Sequence, residues 1–508
     1  MTGLGTDRSL PDEWQRLDPR MLLVHPVKEL IRFLPVLVGL FIAGTASGGS
    51  GDWWHFLGIV VPISLGVMRY FTTYFRIADQ RVELRRGLVN RHVLSTPLDR
   101  VRTVDITASP IHRLLGLTTV RVGTGTASND DEDRLDLDGL ATDRARQLRA
   151  DLLPVGGTDP AGTTEQPRPA DRTVLVFDPA WVRFAPLTSS GLVIAAATLG
   201  VITQAVNTFG GFDRLDPQRF ADDASGWSVW AAVPLGLIAL VLVVAALSIG
   251  GYVLTNWGFT LTHTGSARGG AWHLRRGLLT TRETTLDDER VRGVSVGEPL
   301  GLRLAGGGRT SAIVTGLDRR QAASSLLVPP APRSVVVGVA GAVLGTDSPL
   351  TTPLVDHGPR ARTRRFTRAL TPAVAALAAA LLLVLLTETP TWLLAVVALG
   401  VPVALALAAD RARALGHALV DGHVVARSGS LDRRREALEV GGVIGWNFRS
   451  TWFQRRAGLL SLVATTAGGR QAVTVPDVPE DAALTLALAA HPELLGQFLD
   501  TEPVRTSP

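Results

Sequence analysis

The sequence contains no cysteine, which removes disulfide staples, thiolate metal ligands and a cysteine nucleophile together. Lysine is nearly missing as well: Lys28 is the only one, so the positive charge is almost all arginine. Tyrosine and methionine occur three times each, and charged residues make up only 19%. Apolar residues take their place. Hydrophobic residues reach 46% and the mean hydropathy is +0.22, high for a soluble chain and indicative of a membrane protein with sizeable aqueous parts. A length of 508 residues suggests about three domains. A net charge of +5 and a pI near 10.4 favour a negatively charged partner. No basic stripe interleaved with aromatics accompanies the arginines, so nucleic acid is not expected.

Motifs of catalysis are missing too. The ten histidines show no His-Glu-x-x-His and no i, i+4 pair, so a zinc site is not expected. The acidic run Asn129-Asp130-Asp131-Glu132-Asp133, followed by Asp136-Leu137-Asp138-Gly139, fails as a calcium loop. Arg134 and Ala145 stand where ligands are required, and a solvated loop leading into a helix cap fits better. Gly123-Thr124-Gly125-Thr126 and Gly306-Gly307-Gly308 do not continue to Gly-Lys-Ser/Thr and read as turns. No Gly-x-Ser-x-Gly elbow singles out a nucleophile. The expectation is a protein that is not an enzyme, with no catalytic residue, metal or cofactor.

Six apolar segments run along the chain, at about Phe33–Ala46, Trp54–Phe71, Leu187–Phe209, Trp230–Ile249, Leu370–Leu386 and Trp392–Ala409. A bilayer core about 30 Å thick needs about 20 helical residues, so these pair into three helical hairpins with short connections. The first thirty residues are too polar for a cleavable signal peptide. Arginines crowd the segments between hairpins (Arg76, Arg81, Arg85, Arg86 and Arg91; Arg360, Arg362, Arg364, Arg365 and Arg368), whereas Trp53, Trp54, Trp227, Trp230 and Trp392 fall at the opposite ends. The positive-inside rule and the aromatic belt then place both termini and the large segments in the cytoplasm. No Asp, Glu, Lys or Arg sits in mid-membrane, which argues against an ion-coupled transporter. Thr203, Gln204 and Asn207 are the polar residues on which an alternative reading, a small-molecule exporter or permeability factor, would rest.

A repeat crosses the whole chain. Val82-Glu83-Leu84-Arg85-Arg86-Gly87-Leu88 corresponds to Trp272-His273-Leu274-Arg275-Arg276-Gly277-Leu278, and to Val424-Val425-Ala426-Arg427-Ser428-Gly429-Ser430. The offset to the third copy is 342 and holds from Gly87 to Leu117; that to the middle copy is 190 until five residues are lost before Gly301. Each copy alternates as short strands with Gly87, Gly277 and Gly429 at hairpin turns. Each then ends in a helical stretch: Thr142–Leu153, Asp318–Leu327 and Pro479–Ala490, with Asp138, Asp318 and Asp477 as candidate caps.

The Leu-Arg-Arg-Gly-Leu hairpin, the basic-valine strand, Arg113-Leu114-Leu115-Gly116-Leu117 and Val120-Arg121-Val122 resemble the bacterial pleckstrin-homology-like membrane proteins. The likeness is strongest in the first copy, shortened in the second and weakest in the third, where Trp446, Phe448 and Trp452 are new. It implies a membrane α+β protein: six transmembrane helices in three hairpins, each followed by a small antiparallel β-roll PH-like domain with a C-terminal helix.

The expected layout is a cytoplasmic segment 1–31, hairpin 32–75, domain 76–154, linker 155–186, hairpin 187–250 and domain 251–328. A linker 329–368, hairpin 369–410, domain 411–497 and tail 498–508 complete it. The stretch Val335–Leu344 is too short to span and is expected on the membrane or against a domain. The expected role is a scaffold in the bacterial inner membrane, connected with envelope integrity or stress. Its partners are the bilayer, anionic lipid headgroups or another protein, with Arg85, Arg86, Arg275 and Arg276 as candidate contacts. Each arginine near an anionic leaflet contributes about 1 kcal/mol.

Overall fold

The computed structural model describes residues 14–29, 33, 53–78, 81–86, 92–97, 103–123, 135–152, 172–188, 200, 203–204, 229–266, 269–315, 325–387, 390–467 and 472–493. The chain divides into two compact units, Met1–Glu289 and Arg290–Pro508. That boundary falls inside the middle repeat, at the turn between its two sets of three strands.

In the first unit β1 (Gln15–Arg16) is followed by a helix at 21–29 and by α1 (Trp53–Thr72). Two antiparallel meanders come next. One is β2 (Tyr74–Ala78), β3 (Arg81–Arg86) and β4 (His92–Pro97). The other is β5 (Thr103–Ala108), β6 (Leu117–Gly123) and β7 (Leu135–Ala141), with α2 (Pro110–Leu115) between β5 and β6. The helix α3 (Thr142–Leu152) closes this copy. Alternating residues from both meanders, among them Val82, Leu84, Val104, Ile106, Val120 and Leu137, share one core with Leu17, Met21 and Val24 from the segment ahead of α1. A hydrophobic set recurring every second residue buries one sheet face, so the two meanders close face to face as a roll.

The strand β8 (Arg172–Val176) precedes α4 (Val229–Asn256), which leads into β9 (Thr260–Ser266), β10 (Gly269–Arg276) and β11 (Thr281–Asp287). These strands form no sheet of their own. β11 pairs with β5 of the first copy, giving a seven-stranded sheet in the order β7-β6-β5-β11-β10-β9-β8.

The second unit repeats the device. The strands β12 (Val291–Pro299), β13 (Gly307–Val314) and β14 (Leu326–Pro332) belong to the middle copy, with α5 (Leu300–Leu304) after β12. The third copy contributes β15 (Gly416–Val420), β16 (His423–Ser428) and β17 (Asp432–Glu439). β17 pairs with β12, so the six-stranded order is β14-β13-β12-β17-β16-β15. The last meander is β18 (Gly445–Arg449), β19 (Leu459–Thr465) and β20 (Ala472–Pro479), with α10 (Trp452–Arg456) before β19 and α11 (Glu480–Ala490) closing the fold. Four further helices lie earlier in this unit: α6 (Arg333–Leu344), α7 (Ser348–Thr351), α8 (Gly358–Leu386) and α9 (Trp392–Ala414).

Several expectations need correction. The middle repeat is not a self-paired domain at 251–328, because its two meanders join different neighbours. Its closing helix is not Asp318–Leu327: residues 318–324 lie outside the described set, and Leu326–Pro332 is a strand. Val328-Pro329-Pro330-Ala331-Pro332 cannot continue a helix, and proline is tolerated here because β14 is at the sheet edge. The closing helix is α6, whose Val336, Val339 and Ala340 are buried; Val335–Leu344 therefore packs on a domain. The linkers also end in structure. β1 pairs with β2, β8 with β9, and Val355 bridges to His417 at the start of β15, so each segment ahead of a pair of apolar stretches lines the first strand that follows them.

Among the described residues three helices are long and apolar enough to cross a membrane: Pro234–Asn256, Gly358–Leu386 and Trp392–Ala414. The second apolar segment is the 20-residue α1. All of the first but Phe33, and most of the third, lie outside the described residues, as does Asn207. Thr203 and Gln204 are helical and exposed. The connection between α8 and α9 is short, and the two helices pack along each other as a hairpin. α8 begins at Gly358, so the arginine cluster before the fifth apolar segment is part of the same helix.

Candidate functional site

A concentration of positive charge lies in the second unit, where β12 meets β17. In a strand, residues two apart point to the same face. Arg433 and Arg435 therefore face one way, while Arg434 turns aside to pair with Asp432. Opposite them in register stand Glu298 and Val296. Arg303 of α5, Arg333 of α6 and Arg427 of β16, with Gly307, Val337 and Leu350, join these residues in lining a cavity of about 220 Å³.

The cavity holds more positive charge than its carboxylates balance. Arg333 Nε donates to Glu298 Oε1 at 2.7 Å, and Arg303 and Arg433 share Asp410 near the end of α9, at 2.9 and 2.6 Å. Arg427 and Arg435 donate to main-chain carbonyls: Ala414 and Arg413 for the former, Pro349 and Thr352 for the latter. The last carbonyls of a helix lack intrahelical partners and carry partial negative charge, so Arg427 caps α9 without neutralising a full charge. Burial, then the like charges of Arg427 and Arg333, push the Arg435 guanidinium down to about 10, against the pull of Glu298. Arg433 is lowered by burial and by Arg303. Such a set suits an anion with several acceptor oxygens, a phosphate above all, because forked guanidinium groups match that geometry.

A second feature recurs in the two outer copies. Asp138 of β7 accepts from Thr119, from His112 Nε2 at 3.2 Å and from Lys28 Nζ at 2.9 Å. Burial alone would raise this carboxyl, but the bonds from His112 and Thr119 and the charge of Lys28 outweigh it and hold it well below the usual range. In the third copy Asp477 of β20 accepts from Gln454 Nε2 at 2.8 Å and pairs with Arg364 and Arg365 at 3.2 and 2.7 Å. His112 and Gln454 are repeat equivalents, as are Thr119 and Ser461. Each carboxylate thus latches the last strand to basic residues that precede an apolar segment of the sequence. Both aspartates lie at a β-bulge, whose left-handed residue is Gly139 in one copy (φ 81°) and Asp477 itself in the other (φ 55°). Neither is the helix cap expected from sequence.

The structure does not gather the four expected contact arginines. Arg85 is half-buried on β3, and Arg86 ends that strand. Arg275 is exposed, 3.6 Å from Glu283. Arg276, on the opposite face, is 7% exposed. Burial and Arg282 press its guanidinium down to about 10, offset by Asp105, which places it at the β11–β5 junction. Trp446 packs on the core of the third copy and donates to His491 Nδ1 at 3.2 Å, whereas Phe448 and Trp452 are exposed. The cavity arginines come from four elements, so no local stretch of sequence groups them; the one signal is the run Arg433-Arg434-Arg435, alternating on a strand. The acidic run 129–133 lies outside the described residues.

Residues 30–155 and 372–491 match the family model described as Bacterial PH domain. No curated protein and no solved structure matches the chain. The match falls on the first and third copies and leaves out the middle one, so the third copy, expected to be the weakest, is matched where the middle one is not.

Proposed function

The first and third copies of the repeat match the bacterial PH-domain family, and from that premise we propose that the chain is a non-enzymatic membrane scaffold whose PH-like parts recognise anionic groups. PH-like domains are generally binding modules. Three long apolar helices support membrane association; the full layout of six helices in three hairpins, with termini and domains on the cytoplasmic side, is part of the proposal and rests on the arginine and tryptophan asymmetry. A role in envelope integrity or stress belongs to it as well.

One observation carries the binding reading: five arginines surround the β12–β17 cavity, and two of them, Arg427 and Arg435, meet only carbonyl oxygens in their hydrogen bonds to the protein. The cavity adjoins the end of α9, an apolar helix, so a lipid phosphate is the ligand chemistry proposed. Arg85, Arg86 and Arg275 are proposed to add sequence-independent attraction to an anionic surface. Arg276 is retained as a candidate only through its effect on the junction it lines.

Native mass spectrometry of the detergent-purified full chain, titrated with phosphatidylglycerol and with phosphatidylcholine, tests the reading. The Arg427→Ala/Arg435→Ala variant is expected to bind phosphatidylglycerol at least tenfold more weakly, with phosphatidylcholine unchanged. Equal retention of phosphatidylglycerol by parent and variant overturns the reading.

A further inference from the structure

The two junctions between repeats follow one rule. The third strand of a copy's first meander pairs with the first strand of the preceding copy's second meander: β11 with β5, and β17 with β12. The register is also the same. Thr285 lies opposite Val104 and Thr281 opposite Ala108; Ala437 lies opposite Val294 and Arg433 opposite Glu298. Under the repeat offsets of 190 and 342 these are equivalent residues. The rule leaves one edge unused at each end of the series. Among the described strands β4 pairs with β3 alone and β18 with β19 alone.

We propose that β18 of one chain pairs antiparallel with β4 of a second copy, continuing the series head to tail. Every junction in the chain joins consecutive copies, and the next first copy after the third belongs to another chain. The inherited register sets Ser95 opposite Trp446, Leu94 opposite Asn447 and Val93 opposite Phe448. The side chains fit that pairing. Val93 and Phe448 are large apolar residues left 56% and 40% exposed, and the register makes them direct cross-strand partners, the unit of sheet stabilisation. At the β12–β17 junction Arg292 pairs with Glu439 at 3.1 Å. The equivalent positions hold Ile444, exposed, and Pro97, so an ion pair is replaced by an apolar one. Unpaired strand edges are templates for another chain, and a heterologous contact of this kind closes into a ring or extends as a filament.

The absence of cysteine makes the test direct. Val93→Cys and Phe448→Cys are placed in separate, differently tagged full-length chains, reconstituted together in phosphatidylglycerol/phosphatidylcholine vesicles and oxidised. The expected result is a reducible heterodimer from the mixed chains, absent when either variant is alone and at least fivefold weaker for the slipped pair Leu94→Cys with Phe448→Cys. A single chain carrying both cysteines that closes on itself without forming dimers overturns the proposal. So does a failure of the mixed chains to cross-link. As a check that does not depend on disulfide geometry, mass photometry of the parent should show species larger than one chain, reduced to single chains by Val93→Lys. Both positions are exposed, so near-UV circular dichroism of the lysine variant should match the parent; single chains in the parent likewise overturn the proposal.

Discussion

The Asp477 latch offers a quantitative test of how the third PH-like copy holds the basic first turns of α8. Asp477 is 2% exposed, and its carboxylate faces two guanidinium groups and the Gln454 amide. Asp477→Asn removes the charge while keeping the shape, and asparagine tolerates the left-handed backbone that Asp477 adopts. Breaking a buried ion pair by neutralising one partner costs about 3–5 kcal/mol, because the other charge stays buried and unpaired. Arg364 and Arg365 are each about 15% exposed, which favours the lower figure. At about 1.4 kcal/mol per decade, ~3 kcal/mol raises the population of the opened latch ~100-fold. Hydrogen exchange across residues 358–369 of the full chain in nanodiscs reads that population. Replacing the whole group, with Asp477→Leu together with Arg364→Met and Arg365→Met, should restore most of the protection, since no charge is then stranded. Exchange in Asp477→Asn within threefold of the parent would refute the reasoning.

Two further outcomes follow from other parts of the fold. His357 donates from Nδ1 to the Pro476 carbonyl, so its Nε2 accepts from His417 Nδ1 at 3.0 Å. Burial, then the neighbouring His357, lower His417 to about 4 from 6.5. The folded state therefore takes up fewer protons than the unfolded one between these values, and stability is flat above pH 6.5 and falls as pH drops toward 4. At pH 5 the loss is ~1–2 kcal/mol, allowing for water near the pair; thermal unfolding at pH 7.5 and 5 should show it, and His417→Asn should reduce it. Gly277 and Gly429 are equivalent turn residues with φ of 110° and 99°, and an added Cβ would meet the carbonyl oxygens of Thr280 and Asp432 respectively. Alanine at either should destabilise its hairpin by ~2 kcal/mol or more, seen as faster exchange in β10–β11 or β16–β17 alone.

The sequence by itself carried the local patterns. Hydrophobic runs of the length of a bilayer, arginine and tryptophan at opposite ends, and the Leu-Arg-Arg-Gly hairpin, repeated at an offset of 190 and replaced by Ala426-Arg427-Ser428-Gly429 at 342, are enough to expect a membrane protein built from repeated PH-like units. Strand alternation and glycine turns are short-range properties, so they survive without knowledge of neighbours. An aspartate followed by an apolar run resembles a cap and a helix in the middle copy, but the prolines after it stop a helix and are tolerated in the edge strand β14. Which meander pairs with which was decided by tertiary structure alone. β5 and β11 are separated by more than 170 residues, and every antiparallel strand offers the same unpaired amides and carbonyls at its edge. Only the packed cores select the partner. The arginine cavity arises for the same reason: its cations lie on separate elements, and the pairing of β12 with β17 brings them together.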